Sequence, residues 1–92
     1  MEFEWDEIKA HSNFVKHGVA FVAAIRVFDD ANLLIRADPR AYNEPRWQAI
    51  GMVEDLILFV VYTLRRGNSC RVISARRASR RERENYTLQA RD

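Results

Sequence analysis

The longest apolar run, LILFVVY at residues 56–62, is apolar at odd and even positions alike. A strand with that pattern is covered on both faces and belongs at the centre of a sheet. Just upstream, RWQAIGMV (46–53) alternates, with Trp47 and Ala49 facing one way and Gly51 next in the series. The acidic pair Glu54-Asp55 reads as the turn between these two strands. Downstream, RRGNS places Gly67-Asn68 where a hairpin needs positive φ. CRVISAR (70–76) then returns as the last strand. EFEW (2–5) predicts a short opening strand, and NLLIR (32–36) another, followed by the proline-containing loop ADPRAYNEP.

Helical spacing takes over elsewhere. Asp6 is a predicted N-cap with Glu7 in the first turn, and Gly18 stops the helix in the left-handed conformation after about Lys16. Phe21, Ala24, Ile25 and Phe28 fall at i, i+3, i+4 and i+7, which predicts a second helix ending at Asp29-Asp30. Ser79-x-x-Glu82 is a capping box that opens a final helix at Arg80, running to about Ala90. The predicted order is β-α-α-β-β-β-β-α. This is an α+β fold with a mostly antiparallel sheet, an N-terminal helical hairpin and a C-terminal helix. All 92 residues are expected to form one domain.

Composition narrows the class. A single cysteine, Cys70, allows no internal disulfide, as expected of a reducing cytoplasm, and it reads as a small buried apolar residue. The N-terminus, MEFEWDEIKA, is acidic and is not expected to act as a signal peptide. No apolar run approaches the roughly 20 residues of a membrane span, so a soluble, cytoplasmic protein with no membrane role is expected.

Charge is asymmetric. Residues 1–64 carry six Lys/Arg against ten Asp/Glu, whereas residues 65–92 carry nine against three. Thirteen of the fifteen basic residues are arginine, whose planar fork matches phosphate and carboxylate better than lysine does. The final helix is also mischarged. Arg80, Arg81 and Arg83 lie in its first turn, where each cation costs on the order of 0.3–1 kcal/mol against the helix dipole. A bound anion would relieve that conflict. Arg76 ends the preceding strand, so Arg76 and Arg80 form a candidate phosphate clamp. The competing reading is a solvated helix whose arginines pair with Glu82, Glu84 or the acidic half of the chain.

Other candidates are less specific. His17 stands at a helix C-terminus, a comfortable place for a cation, and is either structural or a general acid or base. Trp5 is either core or a platform for a base. No His/Cys/Asp/Glu cluster has metal-ligand spacing and no glycine loop cradles phosphate, so neither metal nor cofactor is expected. On the residues alone, a nucleic-acid enzyme, a non-catalytic nucleic-acid-binding module and a protein-interaction domain all remain open.

FEWDEIKAHSNFVKHGVAF (3–21), with Trp5, Asp6, Asn13, Lys16, His17, Gly18 and Phe21, resembles the opening of BrnT-type toxins, the ribonuclease half of bacterial type II toxin–antitoxin pairs. VFDD (27–30), VVYTLR (60–65) and RVISARRASRRERENY (71–86) fit the same pattern. The resemblance implies a RelE-like fold and metal-independent endoribonuclease activity that inhibits translation. It also implies a heteromeric complex in which a DNA-binding, BrnA-like antitoxin neutralises the toxin. Carried over by position, the catalytic residues would be Trp5, Arg76 and Arg80, with an arginine of the hairpin, Arg65 or Arg66. His17, Tyr86 and Glu82 stand as candidate acid or base, His17 counted with the catalytic set. Arg77, Arg81 and Arg83, like Arg65 and Arg66, would bind RNA or contact the antitoxin. With no metal, the RNA 2′-OH is the natural nucleophile, and the arginines would stabilise the transition state.

Overall fold

In a computed structural model, which describes residues 1–40 and 43–90, the doubly apolar run becomes the central strand β4 (Leu56–Arg65). Around it lie β1 (Glu2–Glu4), β2 (Leu34–Ala37), β3 (Trp47–Val53) and β5 (Ser69–Arg77). They form one five-stranded sheet in the order β1-β5-β4-β3-β2. β2, β3, β4 and β5 pair antiparallel in sequence, but β1 runs parallel to β5, so the sheet is mixed. The first strand reaches the last because the chain crosses the sheet between β1 and β2 through its N-terminal helices.

α1 (Glu7–His17) begins and ends where the sequence predicts. The Asp6 carboxylate accepts from the N–H groups of Ile8 and Lys9, and Gly18 closes the helix at φ 71°. The second helix is shorter than expected. α2 (Phe21–Ala24) is one turn that tightens into a 3₁₀ segment over Ile25–Asp29. Its start has no side-chain cap, since residue 20 is alanine. The 3₁₀ segment is drawn tightly onto β3: a Cβ built on Gly51 would lie 2.9 Å from Val27 Cβ. α3 (Arg80–Ala90) starts at the predicted capping box. Ser79 N–H donates to Glu82 Oε1 (2.8 Å) and Glu82 N–H donates to Ser79 Oγ (3.2 Å).

The sheet carries a core on each face. On the first, Phe21, Ala24 and Val27 pack against Ala49, Val60 and Tyr62. On the second, Ile50, Phe59 and Val61 pack against Tyr86 of α3, with Leu34, Ile57 and Ile73 partly buried around them. One helix does not cover a five-stranded face, and among the described residues the remainder of the second face stays open.

Two features set up that open face. β1 pairs with only residues 69–71 of β5, and the Asn13 side chain continues the edge. Its amide donates to Ala75 O (2.8 Å) and Val19 O (3.1 Å) and accepts from Ala75 N–H (3.1 Å). α1 is thereby fixed to β5 with its C-terminal turn beside the strand end. The second feature is a bulge. Tyr62 pairs with Val72 but Val61 pairs with Ser74, leaving Ile73 as the extra residue on β5. Cys70 and Val72 face the first core, and unbroken alternation would send Ser74 and Arg76 there as well. The bulge shifts the alternation by one, so Ala75 takes the first core and Arg76 stands opposite Phe59 on the open face.

Candidate functional site

The open face contains a cleft of about 290 Å³. Arg36 (β2), Gln48 (β3), Phe59 and Val61 (β4), Ser74 and Arg76 (β5) form its floor and sides. His17 enters from the end of α1, Glu82 from α3, and Arg40 from the loop after β2. Neighbouring antiparallel strands lie about 5 Å apart, so the cleft lined from β2, β3, β4 and β5 is about 15 Å across.

Each arginine here is held. Arg76 makes a two-pronged ion pair with Glu82, Nη1 to Oε1 and Nη2 to Oε2, both 2.9 Å. Its guanidinium also lies 4.1 Å over the Phe59 ring. Arg36 Nε donates to Gln48 Oε1 (2.7 Å). Arg40 grips the buried Asp38 carboxylate through Nε (3.0 Å) and Nη2 (2.7 Å). Burial acts to raise the Glu82 carboxyl, but the bonds from Arg76 and the Ser79 N–H outweigh it and hold the group below the usual range. Glu82 is therefore an ionised counter-charge at neutral pH and a poor proton donor.

His17 is the imidazole that lines the cleft. Tyr86 serves α3 instead. It is buried, and its hydroxyl donates to Asp30 Oδ2, which also accepts from Met52 N–H. Burial and Asp30 together push the Tyr86 phenol up to about 12. Among the described residues no three His, Cys, Asp or Glu side chains are grouped to hold a metal.

The structure brings His17 and Arg76 together and sends Arg80 elsewhere. On α3, Glu82 and Tyr86, four apart, share the face toward the sheet. Arg80 instead lines a groove with Arg83, Glu84, Thr87 and Leu88. Arg81 is exposed as well, and Arg83 Nη1 donates to Ala78 O (3.0 Å). Trp5 lies on the other side of the sheet, edge-on to Phe21 at 5.9 Å, its indole N–H bound to Glu7 Oε1 (2.7 Å). Arg65 lines a second, smaller hollow of about 190 Å³ with Arg46 and Arg71. Arg66 sits in the β4–β5 turn, and Arg77 is exposed at the end of β5.

Arg36, Arg40, Gln48 and Ser74 are additional cleft residues that local sequence patterns do not single out. The signal for Arg36 was slight: a cation inside an otherwise apolar strand pattern, NLLIR. A larger hollow of about 420 Å³ lies on the first face, but its lining is mainly aliphatic and its Arg26 is paired with Glu54 at 3.1 Å.

Comparison with known proteins gives this cleft a context. The family model described as "Ribonuclease toxin, BrnT, of type II toxin-antitoxin system" matches residues 5–82. The chain belongs to this family. The matched span contains every residue named above as lining the cleft. The crystal structure of the Brucella abortus ribonuclease toxin BrnT is similar to this chain at 29% identity and a TM-score of 0.67, covering 87% of this chain and 99% of that one. No curated protein matches. As a BrnT family member, the chain is of the ribonuclease toxin class and has an antitoxin as its expected counterpart. Among the described residues no helix is long and apolar enough to cross a membrane.

Proposed function

We propose that this chain is an endoribonuclease that cuts RNA without a metal ion, using the open-face cleft, and that a cognate antitoxin neutralises it. The observation that carries the reading is the convergence of Arg36, Arg40, Arg76 and His17 around one cleft. Three cations suit a phosphodiester, and a histidine suits the proton it must give up or accept.

In this mechanism the RNA 2′-OH attacks the adjacent phosphorus in line, and the bond to the 5′-oxygen breaks. The products are a 2′,3′-cyclic phosphate and a 5′-hydroxyl. The 2′-OH loses one proton and the leaving oxygen gains one, with His17 handling one of these transfers. Arg76 and Arg36 stabilise the charge that builds on the non-bridging oxygens. Being already fixed by their partners, they need little reorganisation as the reaction proceeds. Among the described residues lining the cleft the one aromatic ring, Phe59, is buried under Arg76, and the cations there suit phosphate contacts. Arg65, Arg66, Arg77, Arg80, Arg81 and Arg83 extend the basic surface outside it, as RNA-steering or antitoxin contacts. Trp5 takes a structural part in this reading.

The antitoxin is proposed to be a BrnA-like DNA-binding protein that forms a heteromeric complex in the cytoplasm, where the target RNA is translated. The test is cleavage of a defined RNA by purified protein in EDTA. Expected are cyclic-phosphate ends, no cut at a position carrying a 2′-deoxy sugar, and losses on the order of 10²–10³ in kcat for Arg76→Ala. RNA that binds with a steep salt dependence but is never cut would instead make the chain a binding module.

A further inference from the structure

Arg76 is held by more partners than a surface arginine needs. Glu82 takes the terminal edge of its guanidinium with two 2.9 Å bonds. Nη1 gives its second proton to Arg77 O at 3.1 Å. Phe59 supports the plane from below at 4.1 Å. What remains without a partner among the described residues is the Nε–H and the second proton of Nη2. In a planar guanidinium those two lie along one edge, spaced to meet two oxygens of a phosphate.

Glu82 is itself fixed. Its side chain is 13% exposed. Its Oε1 takes the Ser79 N–H, so the capping box that starts α3 also aims the carboxylate. One turn on, Tyr86 anchors the helix to the second core and to Asp30.

We propose that Glu82 is a positioning residue for Arg76, holding the guanidinium by its terminal edge against Phe59 so that the Nε/Nη2 edge meets the scissile phosphate. The role in cleavage rests on the ribonuclease reading above. The carboxylate does not compete with substrate, because it uses the edge the phosphate does not need. α3 is then a strut: its cap, its glutamate and its tyrosine fix one cation on the neighbouring strand.

The test compares wild type, Glu82→Gln, Arg76→Ala and the double variant. Glutamine keeps the capping box but removes the charge, so Glu82→Gln should fold, checked by circular dichroism. Expected is a loss of roughly 10–100-fold in kcat for Glu82→Gln, with KM changed less than about threefold, as for a misplaced catalytic group. In the Arg76→Ala background the same replacement should change nothing further. An unchanged or raised kcat, or an equal loss in both backgrounds, overturns the proposal.

The second readout does not need cleavage. The Arg76 Nε–H signal in NMR should be sharp in wild type, should shift with a short RNA carrying 2′-O-methyl sugars, and should broaden in Glu82→Gln. An Arg76 signal identical in both proteins overturns the positioning role. A wild type that never cuts RNA overturns the ribonuclease reading, while the signal still decides whether Glu82 holds Arg76.

Discussion

Replacing Asn13 with alanine should destabilise the protein more than its short side chain suggests. Asn13 is only 8% exposed and makes three hydrogen bonds, two to the Ala75 backbone and one to Val19 O. Alanine would leave one buried N–H and two carbonyls without that partner. Each such group costs about 1–3 kcal/mol when unsatisfied, with carbonyls at the low end because they retain other options. The gross loss is about 3–4 kcal/mol, and the better helix propensity of alanine returns about 0.5 kcal/mol. A net loss of about 3 kcal/mol is a large share of the 5–15 kcal/mol expected for a domain. At roughly 4–8 °C per kcal/mol, Tm should fall by about 12–24 °C. Urea and thermal unfolding followed by circular dichroism measure this directly. The exposed neighbour Ser12→Ala is the control and should stay within about 0.5 kcal/mol. Asn13→Asp sharpens the test. At neutral pH it sets a carboxylate against two carbonyl oxygens and should be at least as harmful as alanine. Relative to wild type, its deficit should shrink on acidification, when the carboxyl can donate. A loss below about 0.5 kcal/mol for Asn13→Ala would refute the edge-capping role.

Three further outcomes follow from the packing and titration. Gly51→Ala should cost about 1–3 kcal/mol in urea unfolding, because the new Cβ would meet Val27 Cβ at 2.9 Å and Val27 O at 3.1 Å. Tyr86 has a folded pKa raised from 10.0 to about 12, so its stabilising effect is complete below pH 10 and is lost as pH rises toward 12. Urea midpoints of wild type should fall across that window, and Tyr86→Phe should flatten the fall. Burial pushes the Cys70 thiol up to about 11, so it should resist alkylation by iodoacetamide at pH 8 in the native state and react once unfolded; fast native labelling would contradict its placement.

Signals carried within a few residues of one another were readable from the chain. The Asp6 cap, the Gly18 stop, the positive φ of Gly67 and Asn68, and the Ser79–Glu82 box depend on local backbone chemistry alone. The doubly apolar β4 and the apolar face of residues 21–28 likewise report burial directly. What escaped is non-local. Asn13 meets Ala75 across 62 positions, and no periodicity announces such a pairing. The bulge at Ile73 reverses which side chains of β5 face the cleft, yet RVISARR reads as an unbroken strand. Arg36 and Gln48 join the cleft only because β2 and β3 are neighbours in the sheet. The same limit explains where the candidate residues lie. Arg76 and His17 meet through the bulge and the Asn13 edge contact. Arg80 was placed beside Arg76 by chain proximity, but helix periodicity turns it away.

The charge conflict at the start of α3 therefore has a different resolution from a simple anion site. Glu82 is the acidic residue of that first turn, and its carboxylate is committed to Ser79 N–H and to Arg76. It cannot also neutralise Arg80 and Arg81, whose side chains make no hydrogen bond or ion pair among the described residues. The arrangement separates two kinds of arginine on one short segment. Arg76 is desolvated in part, stacked and aimed, the state in which a cation stabilises a transition state. Arg80 and Arg81 are exposed to solvent, the state in which charge draws a polyanion over about a Debye length, ~8–10 Å. A helix that only needed stability would reverse these choices, placing acids at its first turn. The sequence instead gives its one acid there to the neighbouring strand, and that is the physical sense in which α3 belongs to the cleft rather than to the core.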